Sequence, residues 1–229
     1  MSARRTVIFN ADDFGASEGV NRGIVECHVD GVLTSTSMMV TGAAVDEAVG
    51  LSQEHPDLAI GLHWDVYGED ERDFDMRDQR AIRDEFARQL DAFHELMGRG
   101  PTHVDTHRHA HREAFDLFRE LVEPLGVPLR GDGAVTWVGG FYAQWEWGVT
   151  DLEHVSVAAL ERMLREEAAE GWTEFSCHPG YRSPGYQAMY LVEREEEVRT
   201  LTDPRIRQTL ERLGLELASY AAFAARAAA

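Results

Sequence analysis

The stretch Thr6-Val7-Ile8-Phe9-Asn10-Ala11-Asp12-Asp13-Phe14-Gly15 opens as a short apolar strand, Thr6 to Asn10, and ends in two adjacent carboxylates in front of a helix signal. Successive side chains of a strand point to opposite faces, so Asp12 and Asp13 cannot share one side of a regular strand. They belong where the strand gives way to loop, a turn that Phe14-Gly15 fits. There, one carboxylate can bind a divalent ion while its neighbour takes a proton from water, the division of labour that metal-assisted hydrolysis needs. In isolation such a pair also describes a solvated turn or the negative start of a helix.

Working outward, strands and helices alternate. Ser17 caps a helix that Gly31 closes, and strand Thr34 to Val40 leads to a helix from Ala43 to Glu54 that ends before Pro56. Strand Leu58 to Val66 precedes Asp78 to Met97, where Ile82, Phe86, Leu90, Phe93 and Met97 recur at helical spacing until Gly98. Strand Thr102 to His107 is followed by a helix from Glu113 to Glu123 and a fifth strand from Val127 to Gly131. A helix from Ser156 to Ala169, a strand ending at Cys177, a helical region from Met189 to Arg212 and a last strand from Leu215 to Tyr220 complete the series. Seven short strands separated by helices imply parallel βαβ units. No GxGxxG or Walker pattern is present, which disfavours a doubly wound nucleotide fold. The expected fold is α/β, a distorted TIM-like (β/α) barrel of seven strands. Residues 1–220 would form a single domain, and 221–229 an Ala-rich tail that is a frayed helix or disordered.

Histidines recur at the predicted strand ends. His63 follows Gly61-Leu62, and taken alone it describes a satisfied, partly buried histidine as well as a ligand. His107, His109 and His111 alternate, so in an extended segment all three would face one side; a His-rich surface loop is the plain alternative. Thr173 to Tyr181 holds a strand ending in Cys177-His178 followed by Pro179-Gly180, and an imidazole with a pKa near 6.5 suits donation of a proton to a leaving amine. Arg130, ending the fifth predicted strand, could favour the charged form of the carboxylates.

The 229 residues carry a formal net charge of -19, which argues against nucleic acid or an anionic membrane as partner. No lysine occurs, so Schiff-base catalysis is excluded. Cys27 and Cys177 lack disulfide spacing and are expected to be buried thiols. The N-terminus runs into a strand without a signal-peptide core, and no stretch reaches the roughly 20 apolar residues of a membrane span. A cytoplasmic enzyme is expected.

The chain resembles the YdjC/ChbG-like carbohydrate deacetylases through Asn10 to Gly15 (NADDFG), Val20 to Ile24 (VNRGI), Gly31 to Val40 (GVLTSTSMMV), Gly61 to His63 (GLH), Pro101 to His111 (PTHVDTHRHAH) and Cys177 to Tyr181 (CHPGY). The resemblance implies Asp13, His63 and His107 as metal ligands, Asp12 as general base and His178 as general acid in removing an acetyl group from an N-acetylated sugar or chitooligosaccharide. It also implies magnesium and a homodimer, although ligand softness keeps zinc open. The chain departs from the family pattern at Arg108, often His, and in the acidic segment Trp64 to Asp70. Two other classes remain in view, a metal-dependent phosphoesterase and a non-catalytic metal or sugar-binding protein. The segment Gly131 to Asp151, with Trp137, Phe141, Tyr142, Trp145 and Trp147, either overhangs the barrel mouth to stack on sugar rings or folds into a cluster of its own.

Overall fold

The computed structural model describes residues 4–68 and 73–227. In chain order come β1 (Arg5–Phe14), α1 (Glu18–Val29), β2 (Ser35–Met38), α2 (Val45–Glu54), β3 (Ala59–Trp64), α3 (Gln79–Met97), β4 (Val104–Thr106) and α4 (Phe115–Val122). They are followed by β5 (Thr136–Val138), α5 (Val157–Glu166), β6 (Gly171–Cys177), α6 (Val192–Leu201), α7 (Pro204–Leu213), β7 (Glu216–Leu217) and α8 (Tyr220–Ala227). Local chemistry sets the helix ends. The Ser17 hydroxyl accepts from the Val20 N–H at the start of α1, and Asp78 accepts from Arg80 and Ala81 at the start of α3. Gly98 ends α3 in the left-handed conformation, with φ 64°.

The sheet order is β4-β3-β2-β1-β6-β5, every pairing parallel. β1 is central. β6 follows one of its edges from Arg5↔Gly171 to Ala11↔Cys177. β2 pairs with its C-terminal half at Asn10↔Ser35 and β7 with its N-terminal half at Thr6↔Glu216. Almost all of β1, and all of β2 and β3, is buried, as expected of parallel strands covered on both faces.

The sheet is curled into a barrel, and one guanidinium demonstrates it. In a flat sheet the four steps from β4 to β6 would span roughly 19 Å. Yet Asp105 of β4 and Glu174 of β6 lie 2.8 and 2.5 Å from the same nitrogen of Arg130. The protein is a distorted TIM-like barrel of seven strands.

Several boundaries differ from expectation. The predicted strand Val127 to Gly131 is reduced to a single bridge, Leu129 to Val104, and the fifth strand is Thr136–Val138 within the Gly- and aromatic-rich segment. Gly131 and Gly133, at φ 86° and 90°, turn the chain between the two. The Asp pair sits inside β1 rather than beyond it, because Asp13 takes φ 73° and the register with β2 shifts between Ala11 and Phe14. The helical region expected from Met189 to Arg212 is two helices, broken where Asp203 caps the Arg205 N–H and Pro204 starts α7. Of the acidic segment after His63, Glu69 and Asp70 lie outside the described residues.

The last predicted strand is short because Tyr220 opens α8, and its side chain is buried in the barrel. Tyr220 stacks on the His103 ring at 3.9 Å, and Gly61 leaves room for that ring, which a Cβ would meet at 2.4 Å. The Tyr220 hydroxyl donates to Glu174 at 2.7 Å. Tyr220→Phe leaves a buried carboxylate oxygen unpaired, so it is expected to lower unfolding free energy by about 1–3 kcal/mol in denaturant titration.

Candidate metal centre and active site

The C-terminal ends of β1, β3, β4 and β6 converge, the end of a β/α barrel at which side chains from different strands can meet. Asp12, Asp13, His63, His107 and His178 all line one cavity of about 310 Å³. The left-handed backbone at Asp13 makes this possible, since it frees two successive side chains from strict alternation.

Asp13 presents its two oxygens to different partners. Oδ1 lies 3.2 Å from Nε2 of His63 and 3.2 Å from Nδ1 of His107. Oδ2 accepts from Arg194 at 2.5 Å. Burial raises the Asp13 pKa, but Arg194 and the two imidazoles outweigh it and hold the carboxyl well below the ordinary range. His63 is oriented from behind, its Nδ1 lying 2.6 Å from Asp105 Oδ1. With that carboxylate as acceptor, Nδ1 carries the proton and Nε2 faces Asp13.

Asp12 is held differently. Arg130 donates to both of its oxygens at 2.7 Å, and Asn10 donates to Oδ1 at 3.1 Å. Burial raises its pKa and Arg130 more than offsets this, so the carboxyl stays ionised. Nε2 of His178 lies 3.7 Å from Asp12 Oδ2. The His178 backbone N–H donates to Glu197, which also accepts from the Tyr190 hydroxyl at 2.5 Å.

The donor set fits a divalent cation. One atom each from Asp13, His63 and His107 lies within 4.8 Å of the others, and the Nε2 atoms of both histidines are buried without a hydrogen bond. Unpaired buried nitrogens carry a cost of about 1–3 kcal/mol that a bound cation removes. Asp12, His63 and Asp105 are equally close together, but Arg130 bridges those two carboxylates at 2.7 and 2.8 Å and opposes a second cation there.

The three alternating histidines do not share one extended face. Arg108 and His109 adopt φ 53° and 54°, so the chain turns into a short 3₁₀ segment directly after β4. His107 alone joins the ligand cluster. His111 is tied to Thr106, with Nδ1 2.7 Å from the hydroxyl oxygen. His109 lines the cavity wall edge-on to Trp137 at 5.0 Å. The aromatic segment also divides. Trp137 lies in β5 and donates to Ser176, Phe141 is core, and Trp145 stacks on His154 at 3.8 Å. Only Tyr142 and Trp147 of these aromatics line the cavity.

Asp105, Arg194, Glu174 and Glu197 carry much of this geometry and had drawn no role from sequence. Asp105 has a sequence signal, its place two residues before His107 on the expected strand Thr102 to His107, where the two would share a face. Arg194, Glu197 and Glu174 had none, because only the fold brings them to the site.

The family model described as YdjC-like protein matches residues 6–212. The chain belongs to the YdjC-like family. A carbohydrate deacetylase of Vibrio parahaemolyticus serotype O3:K6 is 32% identical over 252 residues, covering 94% of this chain and 95% of that one. A solved protein of Enterococcus faecalis V583 superposes with TM-score 0.79 at 24% identity, over 96% of this chain and 99% of the other. A family 4 carbohydrate esterase from Streptomyces lividans, in complex with acetate, superposes with TM-score 0.60 at 16% identity over 93% and 92%. The two structures establish the shared barrel fold.

Burial lowers the pKa of His103, His111 and His178 to about 4 each. In the unfolded chain they titrate near 6.5. The unfolded state therefore binds more protons between these values, and the stability these neutral imidazoles give is full above about pH 6.5 and falls towards pH 4. Glu197, pushed up by burial to about 8, opposes them from about pH 4.5 upward, and His63, raised because Asp105 outweighs its burial, does so above the window; three imidazoles outnumber the one carboxyl within it. Thermal unfolding of metal-free protein is expected to shift to lower temperature from pH 6.5 to 4, with a shallower slope in His111→Asn.

Proposed function

We propose that the protein is a metal-dependent hydrolase that removes the acetyl group from an N-acetylated sugar. The observation that carries this reading is the meeting of Asp13, His63 and His107 with Asp12 and His178 in one cavity of a YdjC-like chain. Curated relatives matching almost end to end are named carbohydrate deacetylases, which supports the sugar class.

Asp13, His63 and His107 would hold the cation. When bound, a divalent ion there supplies a Lewis acid that polarises the amide carbonyl and lowers the pKa of water. Magnesium follows from the family resemblance, whereas two imidazoles with one carboxylate also suit zinc. Asp12, kept ionised by Arg130, takes the proton of the attacking water at Oδ2. Desolvation lowers the His178 pKa to about 4, so its role as acid depends on a proton received during turnover. Its Nε2 lies 3.7 Å from Asp12 Oδ2, beyond direct hydrogen-bond reach, so the relay runs through one intervening water before the proton passes to the departing amine. Trp147, largely exposed at the cavity rim, offers a face for a sugar ring. A cytoplasmic setting is supported by two buried, unpaired thiols.

Acetate release from N-acetylglucosamine, chitobiose and longer chitooligosaccharides by metal-reconstituted protein tests the function. Asp12→Asn is expected to retain the metal and lose turnover by about 10²–10⁴-fold. Asp13→Ala is expected to lose the metal itself. Trp147→Ala should raise KM for an oligosaccharide while Trp145→Ala, whose ring packs on His154 outside the cavity lining, leaves it unchanged. Full activity in Asp12→Asn would refute the base assignment.

A further inference from the structure

We propose that Arg194 is a positioning residue that limits Asp13 to a single ligating oxygen and withdraws charge from it. The inference rests on the metal reading of the Asp13–His63–His107 cluster and goes beyond it. Its starting point is the division of Asp13's two oxygens, one shared by both imidazoles at 3.2 Å and the other taken by Arg194 at 2.5 Å.

The guanidinium is fixed in place. Nε donates to the Tyr190 carbonyl at 3.0 Å, Nη1 donates to the His178 carbonyl at 3.3 Å, and the side chain is about 3% exposed. Arg194 therefore cannot follow Asp13 if that carboxylate rotates. It also lines the same cavity as Asp12 and His178. A rigid, permanently charged donor beside a carboxylate ligand has two effects. It occupies Oδ2, so that Asp13 could offer a bound cation only one oxygen. It also polarises the carboxylate away from the cation, so the ligand donates less and the ion remains a stronger Lewis acid. The cationic charge simultaneously opposes cation binding, so affinity is given up for reactivity.

This predicts opposite changes in two quantities that a merely structural residue would lower together. The test uses Co²⁺ as the probe, with Arg194→Gln and Arg194→Lys in the full chain. Arg194→Gln is expected to bind Co²⁺ at least as tightly as the wild type by competition titration, with an altered visible absorption spectrum. Its kcat should fall about 10–100-fold, with KM little changed. Arg194→Lys, which keeps the charge but not the fixed fork, should recover part of kcat and Lewis acidity.

Weaker Co²⁺ binding together with a lowered melting temperature in both variants would assign Arg194 a structural role. An unchanged spectrum and kcat, or a rise in KM alone, would equally overturn the proposal, the last by making Arg194 a substrate contact. Failure of the wild type to bind Co²⁺ at all would instead remove the metal reading itself.

Discussion

Arg130 is the constraint on which the rest of the barrel's upper half depends. Its side chain is buried and meets Asp12 of β1, Asp105 of β4 and Glu174 of β6. Such an arrangement is not inherently stabilising, because taking four charged groups out of water is costly and their attraction offsets the cost only when the geometry is good. Here the geometry is bidentate on Asp12, and every Glu174 oxygen has a donor, Tyr220 supplying the last. One guanidinium thus curls the sheet, keeps Asp12 ionised and, through Asp105, orients His63. Architecture and chemistry share a single residue.

Much of the fold was legible because period and punctuation agree. Ser17 and Gly98 cap where capping chemistry says they should, and β1, β3 and β6 lie where apolar runs end in ligand-type residues. What escaped was set by tertiary context. Three residues are too few to give Thr136–Val138 a period of its own, and its strand state comes from pairing with β6. The segment Val127 to Gly131 has strand-like composition but finds only one bridging partner on β4. The alternation of His107, His109 and His111 implied an extended chain, yet two successive left-handed residues, Arg108 and His109, are too rare outside glycine to be inferred from their identities.

The site was legible to the extent that its residues announce their chemistry. Asp12, Asp13, His63, His107 and His178 come from four strand ends and meet in one cavity. The groups that tune them do not announce themselves. Arg194 and Glu197 belong to α6, a helix dense in charge whose apolar face is weak, and such a segment ordinarily describes a solvated surface. Both are buried instead, because α6 packs against α1 and reaches partners at the ends of β1 and β6, Arg194 on Asp13 and Glu197 on the His178 N–H.

The whole-chain charge of -19 therefore describes the surface and not the site. Inside, two guanidinium groups serve the site's carboxylates, Arg130 shared among Asp12, Asp105 and Glu174 and Arg194 on Asp13. A cavity lined by unmatched carboxylates would draw in cations strongly and then quench them, since electron-rich ligands weaken a Lewis acid. Tying these carboxylates to fixed guanidinium groups leaves the Nε2 atoms of His63 and His107 as the principal uncommitted donors. It also leaves the acidic exterior free to vary without altering the balance at the reacting atoms, because interactions between exposed charges are screened within about 10 Å at ordinary ionic strength and buried pairs are not.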